Sequence, residues 1–293
     1  MTKPLKIVVL AKQVPDTRNV GKDAMKADGT VNRAALEAIF NPEDLNALEQ
    51  AIRLKEKYEG TTITILTMGP SRAADIIRES MFRGADDGVL LTDRAFAGSD
   101  TLATSYALSC AIRKINPDII IAGRQAIDGD TAQVGPQVAE KLGLPQVTYA
   151  ENIKGIDENG LVTIIRRLAN GVEVVQSPYP LVVTVNESAP SCRPRNARRV
   201  LKYKHAKTVT ELQSLDEDYM SNLRPERPYL TIVEWGVSDV DAKANELGLL
   251  GSPTKVKSIE NVVFQVKESK VLSSSDADMQ VLMQELISNH TIG

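Results

Sequence analysis

The chain has 293 residues, 42% hydrophobic and 25% charged, with 35 Lys and Arg against 38 Asp and Glu and a formal net charge of -3. Ample apolar content and a near-neutral balance exclude a disordered chain, and one or two domains are expected at this length. No apolar run approaches the roughly 18 residues of a membrane span. The run Ile7–Ala11 is too short for the apolar core of a signal peptide. Cys110 and Cys192 make neither a disulfide framework nor a metal cluster, so a cytoplasmic protein is expected. An aromatic content of 4% with the single Trp235 argues against stacking platforms for nucleic acid.

In chain order, short apolar β-branched runs predict strands at Lys6–Ala11, Thr62–Thr67, Gly88–Leu91 and Asp118–Ala122. Helix-period stretches separate them, carried by Leu45, Leu48 and Ile52, by Ile76, Ile77 and Met81, and by Leu102, Tyr106, Cys110 and Ile112. Strands apolar on both faces and alternating with helices predict an α/β fold. It is an open, mostly parallel sheet with helices on both faces. Gln146–Ile153, Val162–Arg167, Val172–Val175 and Leu181–Val185 lack long intervening helices and are joined by turn sequences such as Asn159-Gly160 and Asn170-Gly171. They are expected as antiparallel additions at the sheet edge. Beyond residue 188 the chain becomes rich in proline and charge, with a strand at Leu230–Trp235 and a helix at Val240–Leu247. The expected division is a nucleotide-binding core over 1–188 and, over 189–293, a basic segment followed by an arm that wraps a partner subunit. From Ser191 to Thr210 there are seven Lys and Arg and no acid.

Open α/β sheets bind ligands beyond the carboxyl ends of their strands. The loop Gly123–Thr131 follows the most apolar strand and runs into a helix expected over Thr131–Leu142. Its glycines and the helix start suit a phosphate, and Asp128 and Asp130 suit ribose hydroxyls. An N-cap aspartate in an ordinary turn accounts for the same residues equally well. Asn41-Pro42-Glu43-Asp44 reads as an N-cap, a proline at the first helical position and a first acidic turn, and it also borders the same crevice. Met68-Gly69-Pro70 is a turn or a contact to an adenine ring. Neither a G-x-G-x-x-G nor a Walker P-loop is present. His205 and His290 lie far from these loops, so an acid–base or triad mechanism is not expected. Cys110 reads as core, and Cys192 as an incidental exposed thiol whose pKa the nearby arginines would lower. Any chemistry must therefore come from a cofactor.

Lys12-Gln13-Val14-Pro15-Asp16, Asn41-Pro42-Glu43-Asp44, Met68-Gly69-Pro70 and Gly123-Arg124-Gln125-Ala126-Ile127-Asp128-Gly129-Asp130, in this order and spacing over about residues 1–185, resemble the β subunit of electron-transfer flavoproteins. Pro180 before Leu181-Val182-Val183-Thr184 fits a later family signature. The resemblance implies an adenine-nucleotide-binding fold of that family and a heterodimer with an α subunit that carries FAD. It places Leu10 and Ala11 at the base of a nucleotide site, Asn41, Pro42, Glu43 and Asp44 near ribose or phosphates, and Met68 by the adenine. Gly123, Arg124, Gln125, Ala126, Ile127, Asp128, Gly129, Asp130, Thr131, Ala132, Gln133 and Val134 would wrap the phosphates. Ordinary members hold AMP there. Gly129–Pro136 and Leu249–Val256 are similar to the electron-bifurcating branch instead. That branch implies a second FAD that takes hydride from NADH, sends one electron to ferredoxin and passes the other through the α-subunit flavin. The recipient is an acyl-CoA dehydrogenase-like or lactate dehydrogenase-like flavoenzyme. The chain would then work as one subunit of an NADH- and ferredoxin-linked oxidoreductase complex, with Arg124 or the helix start at Thr131 stabilising a reduced, anionic flavin. Where the family presents a partner-docking leucine, Asn186–Arg195 has none. The basic segment falls at that position and is expected to be a docking strip for an acidic dehydrogenase or the α subunit. An ATP-binding regulatory module is the remaining alternative, and the missing glycine-rich phosphate motif argues against it.

Overall fold

The computed structural model describes residues 4–16, 36–254 and 270–289. Lys255, Val256 and His290 of the readings above lie outside the described residues.

Strand β1 (Lys6–Leu10) opens the chain, and a small antiparallel pair, β2 (Gln13–Pro15) with β3 (Ala38–Phe40), stands beyond its carboxyl end. Helix α1 (Pro42–Lys57), β4 (Thr62–Met68), α2 (Ala74–Arg83), β5 (Asp87–Leu91), α3 (Thr101–Ile115) and β6 (Ile119–Gly123) follow in alternation. After α4 (Val134–Leu142) come β7 (Gln146–Ile156), β8 (Leu161–Leu168), β9 (Gly171–Pro178) and β10 (Leu181–Val185). The last third adds α5 (Ala197–Tyr203), β11 (Lys207–Thr208), α6 (Val209–Gln213), β12 (Thr231–Trp235) and α7 (Asp276–Ser288).

Ten strands form one sheet in the order β11-β12-β5-β4-β1-β6-β10-β7-β8-β9. All neighbours from β11 to β7 run parallel, and only β7-β8-β9 is an antiparallel meander. Alternation along β1 sorts the core. Ile7 and Val9 face α1 and α2, whereas Val8 and Leu10 face α3 and α4. Each such fully buried side chain contributes about 1.5–3 kcal/mol.

Three expectations change. β10 is not an antiparallel edge strand: it lies between β6 and β7 and runs parallel to both. All five of its residues are buried, as a strand covered on both faces requires. The helix after β6 starts at Val134 instead of Thr131, because Asp130 and Ala132 sit in the left-handed region at φ 47° and 53°. Residues 240–247 are not a helix but two short 3-10 turns, Ser238–Val240 and Ala244–Glu246. Asp241 between them is left-handed, and the carboxylate of Asp239 takes the Gly236 amide at 2.7 Å.

The segment after residue 200 is also less detached than an arm. β12 pairs with β5, and Ile232, Val240 and Leu247 enter the two core layers. The hydroxyl of Ser252 takes the Asp100 amide at 2.8 Å. Helices α6 and α7 bury none of their residues, and α7 leaves Met279, Val281, Met283 and Ile287 exposed.

Candidate functional site

Strands are added from β1 through β4 to β5 on one side, and then from β6 on the other. Such a reversal opens a crevice at the carboxyl ends of the two strands that flank it, here β1 and β6. Leu10 and Ala11 end β1 as buried residues, and the Ala11 amide is tied to Leu66 O at 3.1 Å.

The start of α1 fills the bottom of the crevice. Asp44 is buried, and its two carboxyl oxygens accept the amides of Lys12 at 2.8 Å and Gly123 at 3.0 Å, one from each side. Burial, reinforced by neighbouring Glu43, pushes its carboxyl up to about 7 against the pull of those amides and of Asn41. Glu43 accepts the Gln125 amide at 3.0 Å and the Arg124 guanidinium at 3.1 Å. Asn41 does not cap α1 with its side chain. It donates to Gln125 O at 2.9 Å and accepts the Ile127 amide at 3.2 Å. Pro42 takes the first helical position as expected. Gly123 is required by proximity: a Cβ there would lie 2.4 Å from Asp44 Oδ1 and 2.8 Å from Asp44 N.

The loop then loosens. The Ala126 carbonyl accepts the amides of Gly129 and Asp130 at 3.3 and 2.9 Å. Gly129 faces open space. Lys12 Nζ reaches across to Asp128 at 2.8 Å, and Gln125 Nε2 donates to Asp130 at 3.1 Å. Both expected ribose partners thus have side-chain partners on the protein. Among the described residues, the amides of Thr131, Ala132 and Gln133 donate to no acceptor. Gln133 gives α4 no side-chain cap, because its side chain accepts instead from Thr101 Oγ1 at 2.8 Å. Gly135 lets this helix start approach the sheet, since a Cβ would lie 2.5 Å from Thr184 Cγ2. Val134 packs on the α3–α4 core layer, and Met68, half-buried at the end of β4, packs on the same layer.

Two contributors were given no role by the sequence reading. Lys12, quoted there only within a motif, is the cation that crosses the loop. Tyr149, at φ 57° inside β7 where the register to β10 shifts, carries the Arg124 guanidinium 5.7 Å from its ring centre. Arg124 Nε is buried without a hydrogen-bond partner. A left-handed tyrosine in a strand has no sequence signature.

Three of the seven cations in the basic segment are held by protein acceptors, and Arg198, Lys202 and Lys204 are exposed. Arg193 pairs with Glu49 at 3.0 Å and with Glu56, Arg195 pairs with Glu79 at 2.7 Å, and Arg199 donates to the carbonyls of Met81 and Ala85. These hydrogen bonds hold the Glu49 and Glu56 carboxyls below their ordinary range, although burial opposes that at Glu49. Cys192 is half-buried, and burial pushes its thiol up to about 11, outweighing Arg83 and Arg193. The expected lowering by nearby arginines is therefore corrected. Cys110 is buried in the core. Among the described residues no side-chain group could hold a metal ion, and no helix is long and apolar enough to cross a membrane.

Loops gathered at a reversal of strand order, with free amides at a helix start, are the place where open α/β sheets take their ligands. A family model described as an electron transfer flavoprotein domain matches residues 28–211. The chain is 42% identical over 86% of its length to the electron transfer flavoprotein subunit beta of Clostridium acetobutylicum, covering 86% of that protein. It is 41% identical over 86% of its length to the acryloyl-CoA reductase electron transfer subunit gamma of Anaerotignum propionicum, covering 86% of that protein. With the caffeyl-CoA reductase-Etf complex subunit CarD of Acetobacterium woodii it shares 46% identity over 61% of this chain and 68% of that one. The chain belongs to the electron transfer flavoprotein family, as an electron-transfer subunit of the β type.

Proposed function

We propose that the crevice between β1 and β6 holds the adenine nucleotide of FAD, and that the chain is the β subunit of an electron-bifurcating electron transfer flavoprotein. The observation that carries the binding site is the row of free amides at Thr131, Ala132 and Gln133 before the uncapped helix α4. Amides and the positive end of a helix suit a diphosphate. Gly129 leaves that side of the loop without a wall, and the unpaired Arg124 Nε adds a cationic donor beside it. Both features fit a dinucleotide. Two relatives are named as parts of acyl-CoA reductase systems, which supports the bifurcating branch over a plain shuttle.

Bound there, FAD supplies acceptance of hydride from NADH and donation of single electrons toward ferredoxin and the flavin of the α subunit. The chain's own work is to orient the nucleotide through Thr131–Gln133, to hold the loop's shape through Lys12 and Asp128, and to place Arg124 as a counter-charge. The partners that follow are the α subunit, ferredoxin and a flavoenzyme of the acyl-CoA dehydrogenase class or of the lactate dehydrogenase-like class, all in the cytoplasm. The relatives' names favour the acyl-CoA class. The division at residue 188 carries over with a smaller arm, since residues 207–252 add two strands and core side chains to the body.

Extraction of ligands from the purified αβ complex tests this reading. Two FAD per pair are expected, with NADH bleaching the flavin absorbance. One FAD with AMP, and no bleaching, would leave the ordinary electron shuttle.

A further inference from the structure

Asn41, Glu43 and Asp44 lie where a ligand would be expected to find them, yet their polar atoms face the protein. Asp44 Oδ2 and Oδ1 hold the amides of Lys12 and Gly123, Glu43 Oε2 holds that of Gln125, and Asn41 Oδ1 that of Ile127. Asn41 Nδ2 closes the set on Gln125 O. Both carboxyl residues and Asn41 are more than nine-tenths buried. Three neighbouring side chains thus join the loop after β1 to the first half of the loop after β6. They do so where the two strands part.

We infer that Asn41, Glu43 and Asp44 form a brace that sets the ligand loop before any nucleotide arrives. They are positioning residues, and the amides they occupy do not bind phosphate. Phosphate contacts fall to the second half of the loop, from Asp128 to Val134. The physical reason is preorganisation. A loop already fixed by buried hydrogen bonds has less conformational entropy to lose on binding than a mobile one. The inference rests on the reading of this crevice as a nucleotide site, and it specifies which of its residues touch the ligand.

Hydrogen exchange of the αβ complex, stripped of nucleotide, separates the brace from a direct ligand contact. Asp44→Asn keeps the shape but turns an amide donor toward one of two N–H groups. Exchange at Lys12 or Gly123 should rise about tenfold, the size of one lost buried hydrogen bond of about 1.4 kcal/mol. The affinity for FAD or AMP should fall by a similar factor. Glu43→Ala, at the rim of the brace, is the second variant should Asp44→Asn fail to fold. It should expose the Gln125 amide, whereas Glu43→Gln, which keeps the accepting oxygen, should restore its protection.

Unchanged exchange at all four amides in the stripped variants would overturn the brace, as would faster exchange with unchanged nucleotide affinity. A wild-type complex that takes up neither FAD nor AMP would overturn the nucleotide reading and the ligand half of the inference, and exchange would still decide the brace.

Discussion

Residues 123–127 and 128–133 belong to one loop and are treated in opposite ways. In the first half, the amides of Gly123, Gln125 and Ile127 each meet a buried side-chain acceptor, and that of Arg124 meets Val185 O at 2.9 Å. In the second half, the amides of Thr131 to Gln133 meet none among the described residues, and the backbone twice enters the left-handed region without glycine. A buried amide must be satisfied by the protein, whereas one left open at a crevice is available to a ligand. Rigidity and recognition are thus divided within about ten residues, and changes in the two halves should have unlike effects.

The largest effect is expected at Gly123. Gly123→Ala drives a methyl group into Asp44 Oδ1 and the α1 backbone, and overpacking of this kind costs about 1–3 kcal/mol or more. Urea denaturation of the complex should show it as a fall in midpoint without a change in slope. Arg193→Ala comes next. It removes the hydrogen bonds to the buried Glu49 and should cost about 2 kcal/mol, with Glu49 still partly compensated by Arg53 at 3.1 Å. A similar loss for Arg198→Ala, which holds no acidic partner among the described residues, would show that the segment's charge acts as a field and not through these contacts.

A third, intermediate effect concerns pH. The Asp44 carboxyl is pushed up to about 7 by burial, from 3.8 in the unfolded chain. The folded protein therefore holds this proton over a range where the unfolded chain has lost it. The stability it contributes is complete below about pH 4 and is lost as pH rises through 7. Glu43 faces it and raises it further, while Lys12 and Arg124 are paired elsewhere, with Asp128 and Glu43. The stability of wild type relative to Asp44→Asn should decline between pH 4 and 7 and then level off. A constant difference would place the carboxyl among ordinary acids. The smallest effect belongs to Gly129→Ala, which meets no atom within 4 Å and should stay within about 0.5 kcal/mol. Any change in nucleotide affinity from that substitution would reflect ligand contact alone.

The alternation of β1, β4, β5 and β6 with helices is written in runs such as Ile119-Ile120-Ile121, and the structure follows it. β10 carries the same signal in Leu181–Val185. Its neighbours in sequence are hairpins, and adjacency outweighed the fully apolar pattern that requires a central position. The site residues were legible as types and spacings but not as directions. Nothing in Asn41-Pro42-Glu43-Asp44 says whether a carboxylate faces a ligand or an amide about eighty residues away. In the basic segment the internal pairing of Arg193 and Arg195 was hidden for a related reason. Its acidic partners Glu49, Glu56 and Glu79 lie on α1 and α2, more than a hundred residues earlier. Local charge counts cannot see them.

The pairing of β12 with β5 has a consequence for synthesis. Strand β5 is complete once Leu91 has been made, but Val233–Trp235, which pair with Val89–Leu91 on its outer edge, emerge far later. During that interval the growing chain carries a bare row of backbone donors and acceptors, the template on which a neighbouring nascent chain pairs wrongly. A fragment ending near residue 188 would keep that edge permanently. Once made, Val233–Trp235 occupy the donors and acceptors that this edge would otherwise offer to another chain.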